Sequence, residues 1–312
     1  MNQDESVALW RQGKDAWNAW AEDMLRQKAE LEKSGTWNGY NRPAEWSDET
    51  RKWSEAARTD LSGLRFMTLA SGGTAEKQAG QEDSSQRPEA SIKTVAVGGH
   101  KIDFYEFVFP WHANFKGAEF HGEATFRDAR FHEARFGGVQ FHGEANFEGA
   151  QFHGYAGFGD AQFHSEAYFG GAEFRVDADF LGAKFHGKAK FEEVGFKSAV
   201  FWDAQFHGMA FFFCAEFWEA NFQGVQFHGQ AIFSDALFHD EANFTAIKAG
   251  GGFDLTDAQF SMLPGFNQAD FKQPPDLDNV SFPPRPFWRG GDKRLIAKCS
   301  RSADMNVLAV IS

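Results

Sequence analysis

Cysteine, proline and basic charge are all scarce in this chain. The only cysteines are Cys214 and Cys299, too far apart in sequence to suggest a disulfide framework. That usage points to a reducing, cytoplasmic setting. Proline numbers nine, with the pairs Pro274–Pro275 and Pro283–Pro284 placed where they suit termination of strand pairing. Lys and Arg total 31 against 44 Asp and Glu, for a net charge of −13 and a pI near 5.3. Direct nucleic-acid binding normally shows a basic face, so this balance argues against it. An acidic chain can still take a basic partner or imitate nucleic acid. No run of about 18 apolar residues occurs, so no membrane span is expected. The start, "MNQDESVALW", has no basic region followed by an apolar run and predicts no signal peptide.

Catalytic signatures are absent as well. There is no P-loop, no GxGxxG after a strand, no GxSxG and no HExxH. "VGGHK" is too short to cradle a phosphate, and Cys214 is a lone thiol. The reading is therefore non-enzymatic, with no cofactor.

Phe, by contrast, supplies 37 of the 312 residues. From Phe115 to Phe244, 25 phenylalanines recur at steps of five or six. Two residues before each stands Ala, or Val at Val139, Val194 and Val225. Neither the helical period of 3.6 nor a long strand's period of 2 fits that spacing. Very short strands, each followed by a turn, do. Residues i−2 and i then share one side of the strand, so Ala and Phe face inward and the polar residues between them face water. Such a unit cannot bury its own apolar side and must stack on copies of itself.

"ANFKGAEFHGEATF", "ANFEGAQFHGYAGF" and "AEFWEANFQGVQF" resemble the Phe-centred branch of the pentapeptide-repeat family. The resemblance spans roughly residues 100–282. It implies a mainly β fold, a right-handed quadrilateral β-helix with four Phe columns inside. Counted four Phe per coil, the first column is Phe126, Phe147, Phe169, Phe191, Phe212 and Phe233, and the fourth is Phe120, Phe141, Phe163, Phe185, Phe206 and Phe227. Each step from the fourth column to the next first column is six. The other six-residue steps fall at the opposite corner, which predicts coils of 21 or 22 residues. The frame extends upstream to Phe104 and Phe109, and downstream, more loosely, to Phe282. That makes about eight coils, a rod roughly 40 Å long at a strand spacing of about 4.8 Å. "VAVGGHKI" and "FPPRPFW" are the expected caps, because open sheet edges invite aggregation.

The organisation read from the sequence is a helical segment at 1–70, a flexible linker at 71–94, the repeat rod at 95–284 and a tail or short helix at 285–312. Within the first segment, Trp10, Trp17, Met24 and Leu31 recur at sevens over an amphipathic helix at 5–33, with Trp20 on the same face. A second helix starts with Ser47 as N-cap and runs to about residue 69.

Three surface features stand out. His121, His142, His164, His186, His207 and His228 each follow a fourth-column Phe and should stack on one face. A second, broken row holds His132, His153 and His239. These rows read as preferred turn residues, as a weak divalent-metal surface helped by Glu123, Glu144 and Glu166, or as a pH-sensitive face. Nothing has the closed four-ligand spacing of a structural zinc site. Gln140, Gln162, Gln205 and Gln226 form an outward row able to hydrogen-bond along the stack. Last, Val200, Trp202, Met209, Phe211, Phe213, Trp218, Ile232 and Leu237 occupy positions normally left to water, part of them in one contiguous patch. The N-terminal helices, a second copy or a protein partner could cover it, or the exposed aromatics are merely scattered.

The leading function is a scaffold or protein-interaction rod, with a protein partner or self-association. The alternative comes from the resemblance. Some pentapeptide-repeat proteins imitate duplex DNA and bind type II topoisomerases. Residues 113–244 carry 19 acidic and 9 basic side chains, so the sign agrees. However, Arg127, Arg130, Arg135, Lys184, Lys188 and Lys190 interrupt any acidic stripe.

Overall fold

A computed structural model describes residues 1–40, 42–69, 93–99 and 101–283. The polar stretch read as a linker falls outside them as far as residue 92. The C-terminal tail lies outside them too, as does "FPPRPFW" from residue 284.

The repeat region is a parallel β-solenoid of about eight turns. Its coils are in register as the spacing predicts: Ala145 pairs with Ala124 and with Ala167, steps of 21 and 22 residues. Along the first column, neighbouring rings from Phe104 to Phe233 lie 4.6 to 5.0 Å apart and within 7° of parallel. That spacing equals the distance between hydrogen-bonded strands, about 4.8 Å. First- and third-column rings meet edge to face across the axis, as Phe126 and Phe136 do at 5.3 Å and 83°. All four Phe columns and the i−2 residues are buried from Ala113 to Phe244. Each buried Phe contributes roughly 1.5–3 kcal/mol, and the aromatic contacts add to it.

The turns explain the residues between the phenylalanines. After the first and third columns the chain bends through a left-handed residue, for example Asp128 (φ 55°), Gly138 (φ 64°) and Asp160 (φ 57°). Asp and Gly tolerate that region best. The turn after the fourth column is "FHG". There consecutive coils approach so closely that a Cβ on Gly143 would lie 2.5 Å from the Gly122 backbone. Glycine is therefore favoured at this corner, although Ser165 occupies it in one coil.

Extra residues at the second corner are absorbed as bulges. Glu173–Asp179 pairs with Gly195–Val200 with a register shift between Phe174 and Asp177. Val108–Asn114 pairs with Arg130–Arg135 with a shift between Phe109 and His112. The second bulge pushes Trp111 outward.

The first segment is α1 (Gln3–Trp10), α2 (Lys14–Ser34) and α3 (Asp48–Ala57). The single helix expected over 5–33 is interrupted, because Gly13 takes φ 90°. The second helix does start from Ser47, whose side chain accepts from Thr50 N–H, but it ends at Ala57 and not near residue 69. Beyond it the chain enters the solenoid, with β1 (Thr59–Asp60) and β2 (Arg65–Leu69) before β3 (Thr94–Gly98), β4 (Lys101–Asp103) and β5 (Val108–Asn114). Thr59 pairs with Ala113, and Phe66 stacks on Phe120 at 5.0 Å. Leu61 and Phe66 thus begin the third and fourth columns one coil below Phe115 and Phe120. β3 lies outside β2 at the end of its sheet.

The first and second columns have no coil beneath Phe104 and Phe109, and there the helices supply tryptophan. Trp10 stacks on Phe104 at 5.5 Å, and Trp17 meets Phe109 at 5.2 Å. Their indole N–H groups donate to Asp103 O and Val108 O. Asn18 donates to Glu106 O and accepts from Val108 N–H, so a side chain pairs with the open strand edge. A second cluster joins Met24, Trp53, Ala57 and the bulged Trp111.

One coil departs from the repeat. Ala249 stands where the fourth column needs Phe, between Phe227 and Phe271. Phe253 stands where the i−2 position needs Ala, opposite Ala231. Its ring lies 5.8 Å from Phe227 and 5.3 Å from Phe271, filling the gap that Ala249 leaves. Those two exceptions offset each other in volume, and the same coil carries Ile247 at an i−2 position and Leu255 in the first column. Phe253→Ala should therefore cost about 3–5 kcal/mol in denaturant unfolding. Adding Ala249→Phe restores the Phe of the fourth column and should recover part of that loss.

Candidate functional site: a histidine ladder and an aromatic outer surface

The six histidines form a continuous stack. His121–His142 rings are 4.2 Å apart at 24°, and the next four pairs lie at 4.7 to 5.2 Å and within 6° of parallel. The backbone sets this spacing, each His N–H donating to the Phe carbonyl one coil back, as His186 does to Phe163 O at 2.8 Å. Loss of solvent lowers the pKa of His164, His186 and His207. Neighbouring imidazoles add to the effect at His186 and His207.

The carboxylate beside this ladder is not one of those expected. Glu166 accepts from Tyr168 and pairs with Lys188 at 3.2 Å, on the first-column face. Glu144 and Glu123 flank Ala145 and Ala124 on that same face. Glu119 is the acid that reaches the ladder, its Oε2 lying 3.2 Å from His121 Nε2 and 2.8 Å from Arg65 Nε. It occupies the row expected to be a glutamine ladder, and that row is broken. Lys184 separates Gln162 from Gln205, and among the described residues no side-chain hydrogen bond links the glutamines.

The second histidine row is more varied. His132 packs under Trp111 at 4.5 Å, and burial, with Lys28 and His112 nearby, pushes its pKa down to about 4. His153 faces Arg175 at 3.1 Å. Trp218 is held between the Lys197 ammonium, 4.2 Å above its ring, and His239 at 4.9 Å.

The apolar outer residues divide among three sides of the rod. Phe211 and Ile232 are register neighbours on the first-column face, with Met209 and Phe213 flanking them. Trp218 and Leu237 belong to second-column strands. Val200 and Trp202 follow in the third-column row, where Leu181 is their neighbour. Trp202, Phe213 and Trp218 are 45%, 41% and 50% exposed, and Leu181 is 42% exposed. The N-terminal helices do not cover them. They pack at Phe104, Phe109 and Trp111, several coils away. Leu181 and Val176 escaped the sequence reading because single aliphatics at turns carry no signal by themselves.

Cys214 sits at a left-handed corner (φ 53°), where burial and the carboxylates of Asp235 and Glu193 push its thiol pKa up. Such a thiol is less nucleophilic at neutral pH. Among the described residues no helix is long and apolar enough to cross a membrane.

The family described as pentapeptide repeats (9 copies) matches residues 104–151 and 147–195. Residues 104–195 of the chain are pentapeptide repeats of that family. No curated protein matches it, and no solved structure does. The pentapeptide frame accounts for the Ala, Phe and corner positions.

The lowered histidines set an acid sensitivity. A base whose folded pKa is depressed is protonated first in the unfolded chain, so its stabilisation is complete above about pH 6.5 and is lost below that. The unfolding midpoint of this pentapeptide-repeat protein should fall between about pH 7.5 and pH 5, above the carboxylate range. The triple variant His164→Gln, His186→Gln, His207→Gln should lose less over the same interval. An equal loss would contradict the assignment.

Proposed function

We propose that this pentapeptide-repeat protein is a non-enzymatic scaffold that docks another protein, or a second copy of itself, on the outer surface of the rod. One observation carries the reading: Trp202, Phe213 and Trp218 stand 41–50% exposed on the outside of the solenoid. Large aromatic side chains are the residues that most often anchor interfaces. Stacked coils hold their backbone rigidly, so docking there costs little conformational entropy. Lys197 fixes the Trp218 ring in place before any partner arrives.

A DNA-like role toward a type II topoisomerase draws support from the acidic balance alone. Lys188 and Lys190 lie among the acids of the first-column face, and Arg130, Arg175 and Lys197 lie along the second. That interleaving is unlike a continuous phosphate-like stripe.

The test combines sedimentation of the purified chain with affinity capture from its host lysate, comparing wild type with Trp202→Glu, Trp218→Glu. The docking reading expects either a dimer that becomes a monomer or a bound protein that is lost, with the thermal midpoint of the variant unchanged. If the two chains behave alike in both assays, the reading fails. Inhibition of topoisomerase supercoiling by the wild type would favour the alternative.

A further inference from the structure

The histidine ladder is uniform except at its first step, where three metal-ligating side chains converge. Ligand atoms of Glu119, His121 and His142 all lie within 4.8 Å of one another. We propose that this end of the ladder is a binding site for one borderline-soft divalent cation of the zinc type, with Glu119, His121 and His142 as its ligands.

Two features single out this step. The first is the carboxylate. In the row that holds Glu119, the members that stand beside the later histidines are Gln140, Gln162, Lys184, Gln205 and Gln226, all uncharged or basic, and the next acid, Asp270, lies two coils beyond the last histidine of the ladder. Only the first coil offers an anionic oxygen beside the imidazoles. The second is ring geometry. From His142 to His228 the rings are nearly parallel, so their nitrogens point side by side about one strand spacing apart and do not converge. His121 and His142 are the closest pair and are tilted by 24°. Tetrahedral bonds of about 2.0–2.1 Å require ligand atoms roughly 3.3 Å apart, which rotation of the exposed His142 side chain and small shifts of its partners can supply.

The surroundings suit the role. Arg65 donates to Glu119 Oε2 and, with a cation bound, remains the outer hydrogen-bond donor that orients the ligating carboxylate. Arg65 belongs to β2, so the site also ties β2 to the first two complete coils. Two imidazoles and one carboxylate leave at least one coordination position for water or a partner's side chain.

The experiment titrates Zn²⁺ into the tag-free, metal-stripped full chain by calorimetry and locates the ion by anomalous scattering from crystals grown with Zn²⁺. The expected result is one Zn²⁺ per chain, with its anomalous peak among Glu119, His121 and His142. Glu119→Gln and His142→Ala should each weaken binding by at least about tenfold, and His207→Ala should leave it unchanged. The scattering result does not depend on any variant folding. No binding, a peak elsewhere along the ladder, or several equivalent ions per chain would overturn the proposal.

Discussion

Everything in this molecule depends on one coincidence of length. Parallel strands repeat at about 4.8 Å, and flat aromatic rings stack at nearly the same distance. A Phe placed once per coil side can therefore touch its counterparts above and below without straining the hydrogen bonds between coils. Four such columns fill the interior, so from Ala113 to Ala242 the i−2 positions hold only Ala or Val, and larger residues such as Ile102, Phe107 and Ile247 stand there only towards the two ends. Where Ala249 breaks a column, Phe253 fills the space from the neighbouring wall. The interior tolerates an exchange of places, provided the volume is conserved.

The same regularity creates the problem of ends. A column must stop, and its last ring and last strand edge then face water. At the N-terminal end the solution is aromatic and polar together. Trp10 and Trp17 replace the missing rings, and Asn18 replaces a missing strand. The bulged Trp111 then clips the helical lobe to the outside of the rod. Tryptophan suits the first task because its large apolar face carries an N–H, which in Trp10 and Trp17 reaches a carbonyl of the open edge.

How far this was legible depends on whether a feature repeats. The Phe columns, the coil length and the alignment of the histidines could be read from spacing, since each is confirmed many times along the chain. Features that occur once were harder. "TDLSGLRF" begins the solenoid with Leu61 in place of Phe, and beside a helix its pattern reads as more helix. Gly13 sets the start of α2 by a backbone twist that apolar periodicity does not register. Glu119 differs from the glutamines of its row in charge alone, and only the coil register sets it beside His121. The outward aromatics were identifiable as exceptions to the repeat, but their division among three sides follows from the corner geometry. The position of the helices depends on which tryptophans meet which column ends, and no periodicity encodes that.

The register of the coils is the central claim, and cross-linking tests it most directly. Tyr168 and Lys190 are outward register neighbours 22 residues apart. With Cys214 and Cys299 replaced by Ser, the double variant Tyr168→Cys, Lys190→Cys should form an intramolecular disulfide on mild oxidation, because Cα atoms one strand apart fall within the range of about 4.4–6.8 Å that such a bond spans. The variant Tyr168→Cys, Lys188→Cys should not, since it matches a strict twenty-residue coil that this chain does not adopt. Efficient cross-linking of the second pair and none of the first would contradict the account.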